Sequence, residues 1–340
     1  MDLFPVSNFD KVIDGKQVSL YHLQSDQLKI SVTNYGGILV QLLVLHENQW
    51  VDVVQGYETL DEYLSSPEQY FGAIVGPICN RVDNAQFVLD GNTIHLPKNK
   101  GEHCLHSNAH LPTTVFTCEQ TQSQICLRTT ITQLSPSSPY PGPIYVSVLY
   151  QIIDSTLKIK ISAVPAQKTA LTFTAHPFFC LSQQDSLNEI LAQIMADQFI
   201  GLTRESISGC KINAVGSFDF NKPRHVFIDS QEHDTDEIRE QLQNGFGYDH
   251  CFVLNSAQNQ ATFSCKNLKM HISTNQPGLH FYTGNYLDNF RGKYGRVYSK
   301  NSSFCAECQN FPNAVNRSDF PKVFYEKGEE YMNEVVYTFE

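Results

Sequence analysis

Five polar residues stand alone in apolar or aromatic stretches of this 340-residue chain, and their types suit proton transfer. A carboxylate accepts a proton, and a histidine near its ordinary pKa of about 6.5 can donate one at neutral pH. A carboxylate and an imidazole that face each other across a substrate would therefore provide general acid–base catalysis. The five residues are Arg81, His106, His176, Asp249 and Glu307.

Each of these residues also has a purely structural interpretation. An isolated histidine in an apolar strand is often a hydrogen-bonded core residue. Arg81 can form a structural ion pair with Asp249, and Glu307, which lies between two cysteines, can point outward to solvent. The pattern alone leaves these alternatives open.

Other kinds of site lack their usual sequence motifs. The chain has no glycine-rich phosphate loop after a strand, no serine in a nucleophile elbow and no H-x-x-x-H spacing. His103 and His106 are three residues apart, but no third ligand cluster lies near them, so we predict neither a metal nor a cofactor. The ten cysteines are scattered, and the single C-x-x-C, Cys305 to Cys308, has no second pair, which favours reduced thiols.

Composition and charge exclude several classes of protein. Hydrophobic residues at 41% and aromatic residues at 11% are enough for a large core. The net charge of −11, without a stripe of lysines and arginines, argues against a nucleic-acid partner. No run approaches the roughly 20 apolar residues that a membrane helix needs, and residues 1–11 do not resemble a secretory signal. We therefore expect a cytoplasmic protein with no membrane partner.

Side-chain alternation with a period of two dominates the chain and predicts strands. The dipeptide Asp90-Gly91 predicts a hairpin over Phe87–Leu96, since a tight turn needs positive φ there. A second hairpin is predicted from Tyr145–Ile153 and Leu157–Val164, and the best helix is Asp234–Leu242. Many short strands with little helix predict an all-β sandwich or barrel. Because no linker or repeat is visible, we expect one domain over residues 1–340.

Several longer motifs follow one another along nearly the whole chain. They are Asn34–Gly37, Gly72–Gly76 with Asn80-Arg81, Phe87–Gly91, Leu105-His106, His176–Leu181, Phe218–Pro223, Gly247–Leu254, Pro277–Asn285 and Phe304–Gln309. In this order and spacing, the chain resembles the aldose 1-epimerases, also called galactose mutarotases. One such motif would be weak, but the ordered set is specific.

The resemblance implies a large antiparallel β-sandwich, the galactose mutarotase-like supersandwich, and no cofactor. It implies that Glu307 is the general base and His176 the general acid in the interconversion of α and β anomers of a free hexose such as galactose or glucose. An aromatic residue, Phe178 or Phe179, would cover the apolar face of the sugar. The partner would be a monosaccharide and the protein a monomer or homodimer. The implied substrate-binding residues are Asn80, Arg81, His106, Asp249 and His280.

Some positions depart from the family pattern. Ser107 and Asn108 replace two glycines and add side chains, while His103 and His280 add titratable groups. The remaining departures are Pro77, Ala175, Cys180 and Asn313. The implied acid and base are retained, so we expect catalysis to persist with altered hydrogen bonding to the sugar. This predicts a preference for a sugar other than galactose, or weaker binding of galactose.

Three other functions stay open. A sugar-binding or regulatory protein could keep the fold without turnover. A sugar-phosphate epimerase of related fold would need basic residues at the site, such as Lys98, Lys100 or Arg204. A retaining glycosidase would use Asp249 and Glu307 as two carboxyl groups about 5 to 5.5 Å apart.

Overall fold

The strands of the computed structural model, which describes residues 1–134, 140–182, 184–227, 234–255 and 259–340, form three large antiparallel sheets. The nine-stranded sheet has the order Thr117–Gln120, Gln124–Ile131, Ile144–Ile153, Thr156–Pro165, Tyr331–Phe339, Leu268–Thr274, Ala261–Cys265, Leu191–Ile194 and Arg224–His225. The six-stranded sheet has the order Phe178–Phe179, Phe304–Gln309, Gly278–Tyr282, Asp249–Val253, Gln198–Leu202 and Ser208–Asn213. The four-stranded sheet has the order Leu20–Gln24, Leu28–Thr33, Leu39–His46 and Gln49–Asp52.

Shorter strands pair in twos around these sheets. The pairs are Lys11–Ile13 with Lys16–Val18, Ile74–Val75 with Thr174–Ala175, Arg81–Val82 with Cys104–Leu105, Gln86–Leu89 with Asn92–His95, Thr169–Ala170 with Phe324–Tyr325, and Phe290–Arg291 with Val297–Tyr298. The pair around Asp90-Gly91 confirms the first predicted hairpin. The long hairpin of the nine-stranded sheet confirms the second, and its strands pair without a break in register.

Helices are few among the described residues. The right-handed α-helices are Leu60–Ser65 and Asp236–Asn244, and the 3-10 turns are Val6–Phe9, Asp83–Ala85, Gly216–Phe218, Lys293–Gly295 and Ala314–Asn316. The longer helix begins at Asp236, two residues past the predicted start at Asp234. Thr235 caps it by accepting a hydrogen bond from the Ile238 N–H at 3.2 Å. No helix in the described part of the chain has the length and apolar character needed to cross a bilayer.

The nine-stranded and six-stranded sheets pack face to face around an aromatic core. Phe263 of the larger sheet stacks on Phe304 of the smaller one with ring centroids 4.3 Å apart. Tyr337 of the larger sheet packs against Phe179 with ring centroids 5.2 Å apart and the ring planes tilted by 54°. Both the packing and the antiparallel pairing confirm the predicted all-β sandwich.

Alternation decides which side chains of the six-stranded sheet turn away from this core. Residues paired across neighbouring antiparallel strands point to the same face. Cys251 pairs with His280, and His280 pairs with Glu307, so these three form one row. Asp249 pairs with Tyr282, which places a second row on the same face two residues further along. The outer face of this sheet therefore carries the polar residues, while the inner face carries the phenylalanines.

Candidate active site

A cavity of about 380 Å³ opens over the polar face of the six-stranded sheet. Its volume lies near the lower end of the roughly 300–1,000 Å³ typical of small-molecule sites. All seven residues predicted for the site line it, although they come from distant parts of the chain. They are Asn80, Arg81, His106, His176, Asp249, His280 and Glu307.

Glu307 lies at the floor of the cavity in the centre of the strand Phe304–Gln309, and only 1% of it is exposed. It does not point outward to solvent, as the structural alternative required. Its Oε1 lies 3.4 Å from His176 Nε2, while its Oε2 is buried without a hydrogen-bond partner in the described residues. Burial, together with the charge of Asp249, raises the pKa of Glu307 well above its ordinary value.

His176 occupies the interruption between the short strands Thr174–Ala175 and Phe178–Phe179. Pro177 has no N–H to donate to a strand ladder, so strand pairing in the apolar run Leu171–Leu181 is interrupted here. Phe178 and Tyr70 stack against the imidazole at centroid distances of 5.1 and 5.7 Å. Burial, together with the nearby His280, lowers the pKa of His176 to about 3. The imidazole is therefore held in place and favours its neutral form.

Asp249 links Arg81 and His280 in a buried polar row. Its Oδ2 lies 3.2 Å from the Arg81 guanidinium, and its Oδ1 accepts a hydrogen bond from His280 Nε2 at 2.9 Å. Burial would raise the pKa of Asp249, but the Arg81 charge and the His280 hydrogen bond outweigh burial and lower it to about 2. The predicted ion pair between Arg81 and Asp249 is thus present, and both residues also line the cavity.

A left-handed turn carries His106 into the cavity. The residues His106 to Ala109 have φ values of +51, +50, +58 and +54, and none of them is glycine. Such a backbone costs roughly 1–2 kcal/mol per residue, so other contacts must hold it. The His106 N–H donates to the Asn80 carbonyl, and the Asn80 N–H donates to His106 Nδ1, both at 3.1 Å. Ser107 Oγ accepts from the Ile78 N–H and donates to the Ile78 carbonyl, both at 2.9 Å.

The hydrogen bond from the Asn80 N–H to His106 Nδ1 decides whether the histidines fit a metal. One ligand atom from each of His106, His176 and Glu307 lies within 4.8 Å of the others, which is compatible with a metal ion. However, the Asn80 N–H can only donate, so His106 Nδ1 must accept, and the proton of the neutral ring then lies on Nε2. Because a metal needs a free lone pair on the nitrogen that faces it, the cluster fits a metal poorly. His106 is instead a hydrogen-bond donor toward the cavity.

Sequence reasoning missed several aromatic and polar residues of the lining. Phe178 faces the cavity and Phe179 packs in the core, which resolves the alternative between the two. The missed residues are Pro67, Glu68, Gln69, Tyr70, Asn99, Leu105, Tyr282 and Tyr286, while Lys100, a candidate for the sugar-phosphate alternative alone, also lines the cavity. Alternation from His280 could have indicated Tyr282, whereas the others have no sequence pattern that distinguishes them from ordinary loop residues.

The departures from the family pattern divide into two groups. Asn108 and His280 line the cavity. His103 does not line it: its Nδ1 accepts a hydrogen bond from the Asn84 N–H at 3.1 Å. Ala175 is buried in a strand pair with Ile74, and the Ser107 side chain is fully used by Ile78. Of these positions, Asn108 and His280 are the ones able to contact a substrate directly.

Ser107→Ala is expected to destabilise the fold by about 1–3 kcal/mol, because the buried Ile78 N–H loses its acceptor. Urea unfolding measures this change. The matched control is Ser123→Ala at an exposed turn, where we expect a change within about 0.5 kcal/mol. Equal stability of Ser107→Ala and the unmutated protein would show that Ser107 does not anchor the turn.

Comparison with known proteins extends over nearly the whole chain. Residues 19–338 match the family model described as aldose 1-epimerase. The chain is 33% identical over 334 residues to galactose mutarotase of Sus scrofa, covering 95% of this chain and 94% of that protein. It is 32% identical over 332 residues to galactose mutarotase of Homo sapiens, covering 93% and 92%.

Solved structures share the fold. An aldose epimerase homologue from C. elegans superimposes with a TM-score of 0.86 at 22% identity, covering 95% of this chain and 99% of that one. A galactose 1-epimerase from Lactobacillus acidophilus superimposes with a TM-score of 0.83 at 21% identity, covering 97% and 96%. With the match of the family model over residues 19–338, the chain belongs to the aldose 1-epimerase family.

Proposed function

We propose that this protein is an aldose 1-epimerase that interconverts the α and β anomers of a free hexose. One observation carries the proposal: a buried carboxyl group and a buried imidazole face each other at 3.4 Å in a cavity of the size of a small-molecule site. General acid–base catalysis needs this combination. Membership of the family points to the same reaction.

In this proposal Glu307 takes the proton of the C1 hydroxyl while His176 donates a proton to the ring oxygen. The bond between C1 and the ring oxygen breaks, which gives the open-chain aldehyde. Rotation about the bond between C1 and C2 exposes the other face of the carbonyl. Reversed proton transfers then close the ring as the other anomer. The sugar carries no net charge at either end of this sequence.

Burial of the acid–base pair favours the open-chain state. After ring opening the proton lies on Glu307 and His176 is neutral, and burial shifts the two pKa values in the directions that stabilise these forms. The closed-ring state requires the opposite, an ionised Glu307 beside a protonated His176. Transfer of one proton to Glu307 and of another from His176 is therefore downhill for the two side chains themselves, because it replaces the ionised pair by the neutral pair that the buried site favours.

The remaining lining residues suit a hydroxylated ring. We propose that Asn80, Arg81, His106, Asp249 and His280 bind sugar hydroxyls, with His106 Nε2–H as a fixed donor. Phe178 covers the apolar face of the ring.

Two alternative functions receive less support. Both carboxylate oxygens of Asp249 already have partners, Arg81 and His280, so this residue does not suit the role of a glycosidase nucleophile. For a sugar phosphate, Lys100 lines the cavity, but Lys98 is paired with Glu102 and Arg204 does not line it. Glu68 in the same lining would repel a phosphate.

A polarimetric mutarotation assay over a panel of hexoses tests the proposal. We expect acceleration above the spontaneous rate for at least one hexose, and a best substrate other than galactose because Asn108 and His280 alter the lining. Galactose as the best substrate by a wide margin would contradict the second expectation alone. Binding of a hexose without acceleration would support the sugar-binding alternative and overturn the enzymatic proposal.

We further propose one domain over residues 1–340, because the nine-stranded sheet combines strands from Thr117–Gln120 to the C-terminal Tyr331–Phe339. A reducing, cytoplasmic location is supported by ten free cysteines. The monomer or homodimer stays a prediction, as do the expected absence of a nucleic-acid partner and of a membrane partner.

A further inference from the structure

The left-handed turn His106–Ala109 presents one side chain whose amide lacks a protein partner. Asn108 has a φ of +58, lies exposed at the mouth of the cavity and contributes to its lining. Within the described residues its side chain makes no hydrogen bond, whereas the side chains of both preceding residues are bonded to the segment Ile78–Asn80. The turn is thus anchored on one side and displays a free amide on the other.

The position of Asn108 relative to the acid–base pair indicates what the amide can contact. Glu307 is at the floor of the cavity and 1% exposed, while Asn108 is at the mouth. If Glu307 and His176 hold the edge of the sugar ring formed by C1 and the ring oxygen, the opposite edge, C3 and C4, points toward the mouth. An asparagine amide both donates and accepts, so it can bind a hydroxyl in either role.

We propose that Asn108 is a specificity-determining residue that binds a hydroxyl on the C3–C4 edge of the sugar. The proposal rests on the proposed function, which fixes the orientation of the ring. It gives the side chain of Asn108 a role that glycine at the same left-handed position could not supply. His106 belongs to the same turn, so the test must separate the amide of Asn108 from the backbone that carries it.

Asn108→Gly and Asn108→Asp make this separation. Both residues tolerate a left-handed backbone, but glycine removes the whole amide, whereas aspartate keeps an acceptor, removes the donor and adds a negative charge. We expect Asn108→Gly to raise KM for the best hexose about 3- to 10-fold, as loss of one hydrogen bond implies, with kcat within about twofold. Asn108→Asp should raise KM where the amide donates to the sugar hydroxyl, because a carboxylate can only accept. Where the amide accepts, KM should not rise. The matched control is Asn48→Gly, since Asn48 is an exposed asparagine with a φ of +62 outside the cavity lining.

Deoxy sugars locate the contact. The unmutated protein should bind either the 3-deoxy or the 4-deoxy analogue less tightly than the parent hexose, and Asn108→Gly should lose that discrimination. Equal discrimination in Asn108→Gly and the unmutated protein would overturn the role of Asn108. Affinities are measured by calorimetry, so the result does not depend on turnover. An inactive unmutated protein would count against the proposed function, whereas an active one with unchanged selectivity in Asn108→Gly would count against this inference alone.

Discussion

Glu307→Gln is expected to lower kcat for mutarotation by about 10²- to 10⁴-fold while KM changes little. Glutamine has the shape of glutamate but cannot accept or return the proton of the C1 hydroxyl. The protein should stay folded, because burial already favours the neutral form of Glu307 and glutamine is neutral. Polarimetry from pure α anomer, with the spontaneous rate subtracted, measures kcat, and calorimetry measures hexose affinity.

His176→Asn should reduce kcat by a similar factor, since the reaction needs both proton transfers. The double variant Glu307→Gln with His176→Asn should lose about as much as either single variant, because residues that act as a unit are not additive. Glu240→Gln, at an exposed helix position, is the matched control and should keep the full rate. Full mutarotase activity in both single variants would show that the assigned roles are wrong.

The fold was largely predictable because strand alternation and tight-turn dipeptides are local properties. The hairpin around Asp90-Gly91 follows from the backbone preference of two residues. Alternation also shows that Phe178 and Phe179 point to opposite faces. It cannot show which face meets the cavity, because that depends on the core partner, Tyr337, which is remote in sequence.

The left-handed turn at His106 was not predictable for a different reason. Asparagine and histidine adopt positive φ more often than most residues, but serine and alanine do so rarely. Their conformation is imposed by hydrogen bonds to Ile78 and Asn80, which are tertiary contacts. The tautomer of His106, and with it the poor fit to a metal, follows from those contacts as well. The sequence therefore identifies the residues of the site but not the backbone that orients them.

Lowering the pH from 7 to 5 is expected to reduce the free energy of unfolding. Burial lowers the pKa values of His106, His176 and His250, to about 3 for the latter two. The unfolded chain binds these protons below about pH 6.5, but the folded protein does not. Their contribution to stability is thus complete above pH 6.5 and is lost as the pH falls, by about 2 kcal/mol at pH 5 for each of His176 and His250.

Two carboxyl groups act in the opposite direction and offset part of this loss. Burial raises the pKa of Glu307 well above its ordinary value and that of Glu68 to about 7. The folded protein therefore takes up these protons before the unfolded chain does, so stability is gained as the pH falls toward about 4.5. Asp249 does not contribute to the change between pH 7 and 5. Its pKa is lowered to about 2 in the fold, so its stabilisation is lost only as the pH falls below about 3.9, the ordinary value in the unfolded chain.

Urea unfolding at pH 7, 6 and 5 measures the loss, and one histidine outside the cavity identifies its cause. His250 packs against Phe199 and Phe218 in the core and does not line the cavity. Asparagine at this position can still accept a hydrogen bond but cannot bind a proton near pH 6. His250→Asn should therefore be less stable at pH 7 yet lose about 2 kcal/mol less on acidification.

His225→Gln, at an exposed position, should leave the pH dependence of stability unchanged. The same loss on acidification in His250→Asn and in the unmutated protein would contradict the assignment of that loss to buried neutral histidines.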